Sequence, residues 1–138
     1  MTSPVLALRR AIIDAAAGDA ELRALMGGAL RLYDEPPRGS SPVYAVFGDA
    51  EIRTDSVDGA TRHAHSLALI VFAKPGSTRS AVEAAARIGE LLADAPLSLP
   101  GHALVLLRVQ ALSAARDPRS GEASATLTLQ AVTETDAA

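Results

Sequence analysis

Apolar residues recur every third or fourth position from Val5 to Ala15, which is the spacing of one face of an α-helix. A Ser-Pro pair at residues 3–4 precedes this stretch and is typical of a helix start. We therefore predict a helix over residues 4–17 that ends at Gly18, because glycine readily terminates helices. A short second helix, capped by Asp19, is predicted to continue through Met26.

A second long helical stretch covers residues 78–94. Its core-facing stripe consists of Ala81, Ala85, Ile88 and Leu92. Gly89 lies inside this helix, where it costs about 1 kcal/mol relative to alanine, so we expect a close contact between helix and sheet there. Glu83 and Arg87 have the spacing of an ion pair on the outer face of the helix.

Five segments have the composition of β-strands, and we predict strands over residues 29–33, 43–52, 61–73, 102–112 and 122–132. In the last of these, alanine and leucine alternate with serine and threonine, as expected for a strand with one buried face. The third begins half polar and ends apolar, which indicates a strand that runs from the rim to the centre of a sheet. Residues 53–60 are polar and typical of a turn, and residues 133–138 are expected to form a frayed polar tail.

The predicted order is helix, short helix, three strands, helix and two strands. The arrangement that this order favours is an α+β fold, with a single, mainly antiparallel β-sheet of four to five strands and two long helices packed on one face. The chain of 138 residues has the size of one domain, and no repeat or composition break indicates a second. Residues 1–138 are therefore expected to form one domain.

Composition narrows the classes of function. Hydrophobic residues make up 49% of the chain but aromatic residues only 3%, so the core must be built from aliphatic side chains and alanine, which occurs 29 times. The net charge is −3 and no cluster of lysine or arginine occurs, which argues against a surface that grips nucleic acid. The absence of cysteine excludes disulfides and fits a reducing cytoplasm. No signal-peptide pattern is found, and the longest apolar run, residues 67–73, is too short to cross a membrane.

Three histidines raise the question of a metal site. His63 and His65 lie two residues apart on a predicted strand, so their side chains point to the same face. With His102 they would supply the three ligands of a metal-dependent enzyme. No spacing ties His102 to the other two, however, and polar positions at the wet end of a strand are the favoured interpretation.

Charged residues cluster in two further places. Asp49, Glu51, Asp55 and Asp58 do not have the spacing of a calcium loop, so an acidic, solvated loop that also holds Arg53 is favoured over a cation or acid–base site. Arg116, Asp117 and Arg119 surround a predicted hairpin tip, which would be exposed. Neither a nucleophile motif nor a phosphate-binding loop occurs anywhere in the chain. We therefore predict no catalytic, cofactor-binding or metal-binding residue.

Apolar residues on the predicted strands exceed what two helices on one face would cover. Those on the less well-patterned faces are Tyr44, Val46, Leu104, Leu106 and Leu112. Apolar side chains that stay exposed in a cluster usually mark an interaction surface. The sequence thus favours association with other copies or other proteins over catalysis.

The order of short motifs along the chain resembles the tail-completion or tail-terminator family of long-tailed phages and gene transfer agents. These motifs are Leu32–Pro37, Ser41–Tyr44, Phe47-Gly48, Thr54–Gly59, His65–Phe72, Leu99–Val105, Arg116–Pro118 and Ala131–Glu134. The chain departs from the family at Phe72, where tryptophan is frequent, and at Val43, which separates Pro42 from Tyr44. Both departures concern local packing.

The resemblance implies a ring of six copies at the head-proximal end of a tail tube. Such a ring stops tube growth, presents its other face to the head connector or stopper protein, and lets double-stranded DNA pass through its bore. It implies no cofactor and no membrane, and a protein that is cytoplasmic during assembly and then part of the neck of a virion-like particle. A small metal- or ligand-dependent α/β enzyme that uses His63 and His65, and a monomeric head–tail adaptor, remain the alternatives.

Two polar segments, residues 49–62 and 114–122, are the expected contacts with neighbouring proteins or with the bore. Their candidate residues are Asp49, Glu51, Arg53, Asp55, Asp58, Arg116, Asp117 and Arg119. A bore poor in lysine and arginine would let DNA slide, because affinity for phosphates comes mainly from those side chains.

Overall fold

The computed structural model describes residues 3–33, 43–57, 60–73, 78–93 and 97–136. In chain order its elements are α1 Pro4–Ala17, α2 Ala20–Leu25, β1 Leu32–Tyr33, β2 Val43–Val57, β3 Ala60–Ala73, α3 Thr78–Ala93, β4 Ala103–Arg116 and β5 Ala123–Asp136. The predicted order of helices and strands is confirmed. No helix among these residues is both long and apolar enough to cross a membrane.

The five strands form one sheet in the order β1-β2-β3-β5-β4. Only β1 and β2 pair in parallel, over two residues, and the other pairs are antiparallel. The central pair, β3 and β5, is in register from Ala60 opposite Asp136 to Ala73 opposite Ala123. The α+β class and the mainly antiparallel sheet are therefore confirmed.

The strands are longer than their hydrophobic patterns. β2 continues through Val57 and β5 continues to Asp136, so residues 53–57 are not a turn and residues 133–136 are not a frayed tail, contrary to prediction. β4 likewise extends beyond Leu112 to Arg116. Polar residues form these extensions because the backbone ladder is satisfied by neighbouring strands, a partnership that a pattern within one segment does not report.

The core lies between α3 and one face of the sheet. Alternate residues of β3 and β5 are buried there, namely Leu67, Leu69, Val71 and Ala73 together with Ala123, Ala125, Leu127, Leu129 and Ala131. The predicted stripe of α3 faces them. A Cβ on Gly89 would lie 3.3 Å from Val109 Cγ2 and 3.6 Å from Leu127 Cδ1, so the expected close contact of helix and sheet is present.

Helix α1 has the predicted bounds and packs against α3. Its buried side chains include Leu8 and Ile12, and the Arg9 guanidinium lies 5.2 Å from the centre of the Phe47 ring. That both long helices share one face of the sheet stays a prediction.

An ion-pair cluster joins α2 to α3. Asp19 caps α2 by accepting a hydrogen bond of 2.8 Å from the Leu22 N–H, and it also accepts two from the guanidinium of Arg87, at 2.7 and 2.9 Å. The hydrogen bond from Arg87 is the largest cause that lowers the pKa of Asp19 to about 2. Arg87 also pairs with Glu21 at 3.3 Å and with Glu90 at 3.2 Å. The predicted partner, Glu83, pairs with Arg79 at 2.6 Å instead.

Candidate functional site

Strand β4 forms one edge of the sheet and is exposed along most of its length. Of its fourteen residues, only Leu107 is buried. Four large apolar side chains stand in solvent, Val105 at 52%, Leu106 at 43%, Val109 at 37% and Leu112 at 39% exposure. An apolar surface of this kind on an edge strand is typical of a contact with another chain.

Only some of the apolar residues on the less well-patterned strand faces are exposed. Leu106 and Leu112 are exposed, whereas Leu104 is half-buried against the core. Tyr44 is half-buried and stacks on Phe72 with ring centres 5.3 Å apart. Val46 is buried.

Two register shifts explain why alternation failed to predict the faces of β4. They fall between Leu104 and Leu106 and between Val109 and Ala111, so Val105 and Gln110 have no paired partner in β5. Each extra residue moves the following side chains to the other face of the sheet. Leu112 consequently lies opposite the core residue Leu127, on the face that carries α3.

The outer edge of β2 is the second exposed edge. Here β1 pairs with Ala45 and Val46 only, and every residue from 49 to 54 is exposed. Asp49 and Glu51 lie within the predicted strand 43–52, and Arg53, which was predicted to begin a turn, continues the same strand. Asp55 belongs to the same strand, and Asp58 lies outside the described residues.

The face of the sheet opposite α3 carries a groove of about 480 Å³ between β2 and β4. Arginines line both sides of this groove. Arg53 donates to Glu51 at 2.8 Å, and Arg108 donates to the side-chain oxygen of Gln130 at 2.9 Å. Within the described part of the chain, no carboxylate pairs with Arg108, so its positive charge is not neutralised there.

The predicted hairpin tip between β4 and β5 is confirmed, and its residues are exposed. Asp117 holds the turn, because its Oδ1 accepts the Arg119 N–H at 2.8 Å and its carbonyl accepts the Gly121 N–H at 2.8 Å. Arg116 donates to Thr78 Oγ1 at 2.6 Å and so links the hairpin to the start of α3. Arg119 is exposed to solvent as well.

The structure brings His102 next to the other two histidines, which the sequence spacing did not predict. Thr135 Oγ1 lies 2.6 Å from His102 Nδ1 and 3.4 Å from His63 Nε2. His65 is buried, with Nε2 at 2.9 Å from Thr133 Oγ1. Threonines two residues apart on β5 thus hold the histidines, and their position opposite β3 was the missing signal.

The histidines are held in two separate hydrogen-bonded groups, His63 and His102 on Thr135 and His65 on Thr133. Among the described residues, no group of three or more histidine, aspartate or glutamate side chains is placed to hold a metal ion. Burial is the main cause that lowers the pKa of His65, and the charges of His63 and His102 add to it. The arrangement therefore favours a neutral imidazole at His65.

The family model described as Tail completion protein gp17 matches residues 10–134 of the chain. The chain belongs to the tail completion protein gp17 family. Among solved structures, a similar chain comes from the structure titled "Virion of native gene transfer agent (GTA) particle". It is 25% identical and superimposes with a TM-score of 0.85, covering 97% of this chain and 99% of the other. No significant match was found among curated proteins.

Membership of the gp17 family fits the two exposed edges better than it fits the histidine groups. A tail completion protein is a structural component of a virion and not an enzyme. Its function therefore lies in contacts with other virion proteins. The outer edges of β2 and β4 are exposed surfaces of the kind that such contacts use.

Proposed function

We propose that this gp17-family protein is a tail terminator, six copies of which form a ring at the head-proximal end of a phage-like tail tube. The ring caps the tube, joins it to the head connector and leaves a bore for double-stranded DNA. The observation that carries this proposal is the fold match along 97% of the chain to a component of a gene transfer agent virion. The protein would assemble in the cytoplasm and end in the neck of the particle.

The surface of the protein supports a role as a ring subunit. A closed ring needs two different contact surfaces on each copy, because every subunit meets one neighbour on each side. The exposed edges at opposite sides of the sheet support this role, since they could supply two such surfaces. The lack of a cluster of basic residues also suits a channel through which DNA must slide.

Charged residues near these edges are the proposed contacts with tube, connector or bore. On the β2 side they are Asp49, Glu51, Arg53, Asp55 and Asp58, and at the hairpin tip they are Arg116, Asp117 and Arg119. Arg119 is the best placed of them for a partner protein, because it is exposed and Arg116 is tied to Thr78.

Deletion of the gene tests the proposal directly. We expect electron micrographs of particles from the deletion strain to show overlong tails or tails without heads, and the wild-type gene supplied in trans to restore joined particles. Normal particles in the absence of the protein would refute a role in the neck. Tails of normal length that fail to join heads would favour a monomeric adaptor over a terminator.

A further inference from the structure

The exposed edge of β4 has unused pairing capacity. β4 hydrogen-bonds to β5 on one side, and no described strand lies on its other side. Native proteins usually blunt such edges with charges, proline or short length. β4 has fourteen residues, no proline and several exposed leucines and valines, so its edge is built for a partner strand.

The outer edge of β2 is a second strand edge that can accept a partner strand. Over residues 49–57 it is an extended strand, and no described strand pairs with it on that side. It is polar, whereas β4 is apolar, but it offers the same unpaired backbone groups. A strand that adds to this edge would also cover Ile52, which is 36% exposed.

The charges of the two edges are opposite. β4 contains Arg108 and Arg116 and no acidic residue, which gives a formal charge of +2. Residues 49–57 contain three acidic residues and one arginine, which gives −2. Opposite charges on adjacent strands stabilise their pairing, whereas like charges disfavour it. Each edge therefore matches the other edge of a second copy and repels its own kind.

Strand directions also agree with pairing around a ring. β2 is antiparallel to β3, β3 to β5, and β5 to β4, so β4 and β2 run in opposite directions within one copy. Cyclic symmetry keeps the direction of each strand along the ring axis the same in all copies. β4 of one copy would therefore meet β2 of the next as an antiparallel partner, which continues the pattern of the sheet.

We propose that β4 of each copy adds to the outer edge of β2, at residues 49–57, of the next copy, so that an intersubunit antiparallel sheet closes the ring. This inference rests on the proposed function, since it names the contact between subunits of the terminator. The groove between Arg53 and Arg108 then lies on a face that is continuous from copy to copy.

Charge reversal with rescue tests this contact in the complete protein. One variant carries Arg108→Glu and Arg116→Glu, a second carries Asp49→Arg and Glu51→Arg, and a third carries all four. We expect each double reversal to lower the yield of joined particles at least about tenfold, because like charges then face each other at every interface. The fourfold variant restores complementarity, and we expect it to recover within about twofold of the wild type.

The matched control is Arg10→Glu, which reverses an exposed charge on α1, a helix that belongs to neither edge. It should leave the particle yield unchanged. Thermal unfolding of each purified variant separates a folding defect from an assembly defect. A fourfold variant that folds but stays as poor as the double variants would overturn the edge pairing.

Engineered disulfides give a readout that does not depend on charge. The chain has no cysteine, so Val109→Cys can be combined in turn with a cysteine at Ala50, Ile52 or Thr54. Oxidised particles should then yield a ladder of crosslinked multimers for at least one combination. Val109→Cys with Ala17→Cys, an exposed position on α1, should give no ladder.

These experiments distinguish failure of the edge contact from failure of the proposed function. If deletion of the gene leaves normal particles, the terminator role falls. If deletion disrupts the neck while no cysteine combination gives a ladder, the terminator role stands and the edge pairing falls.

Discussion

Strands β4 and β5 are neighbours of equal length, yet they meet opposite environments. β5 buries its alternate residues under α3, whereas β4 buries only Leu107. β4 nevertheless contains more leucine and valine, six residues against three in β5. Position in the sheet, and not apolar content, therefore decides burial. The excess of apolar residues on β4 is what a strand needs when its partner is another chain.

The most direct test of this contrast uses a cross-strand pair. Leu112 and Leu127 lie opposite each other in register, but Leu127 is 1% exposed and Leu112 is 39% exposed. We expect Leu127→Ala to lower the free energy of unfolding by about 2–5 kcal/mol, because it removes core contacts and leaves a cavity. Leu112→Ala should change it by no more than about 1 kcal/mol, since solvent already reaches this side chain.

Urea unfolding of the purified protein measures both values. Because the two variants make the same chemical change at adjacent positions, each serves as the control for the other. Equal losses of stability would mean that β4 is part of the core, and the argument for an exposed contact strand would fail.

Sequence patterns predicted the interior of this molecule better than its edges. The bounds of α1 and α3 were predicted within one residue, because a 3.6-residue apolar period and clear start and stop residues define each helix. The buried face of β5 was equally clear. The faces of β4 were not, because bulges at Val105 and Gln110 leave no mark in composition or periodicity.

The candidate site, too, could be predicted from the sequence only in part. The sequence indicated an assembly surface and an acidic segment at residues 49–58, but it predicted a turn from residue 53 onward. Only pairing with β3 reveals that residues 49–57 form a strand with a free outer edge. The link from His102 to His63 was also hidden, because it depends on Thr135 from a strand distant in sequence.

Substitution of polar residues in the same sheet is expected to have a smaller effect on the free energy of unfolding. Thr133 is fully buried on β5 and is hydrogen-bonded to His65, whereas Thr128 is half-buried on the opposite face. We expect Thr133→Val to cost about 1–3 kcal/mol, because it leaves a buried imidazole nitrogen without its partner. Thr128→Val should stay within about 0.5 kcal/mol of the wild type.

Unfolding by urea at pH 8 isolates this comparison from protonation of the histidines. If Thr133→Val and Thr128→Val are equally stable, the hydrogen bond to His65 does not contribute to folding, and burial alone explains the position of the imidazole.

The smallest expected effect is the pH dependence of stability that arises from His65, on the buried face of the sheet. Burial lowers the pKa of His65 in the folded chain below its ordinary value of 6.5. At pH values between the folded pKa and 6.5, the unfolded chain therefore binds the proton and the folded chain does not. Stability contributed by neutral His65 is therefore complete above pH 6.5 and is lost as the pH falls towards the folded pKa.

Urea midpoints measured from pH 7.5 to pH 5 should decrease for the wild type and decrease less for His65→Gln. His102→Gln, which removes a half-buried histidine and leaves the buried ring of His65 in place, serves as the control. If His65→Gln has the wild-type slope, the proton is bound elsewhere, and the burial of His65 has no consequence for stability in this pH range.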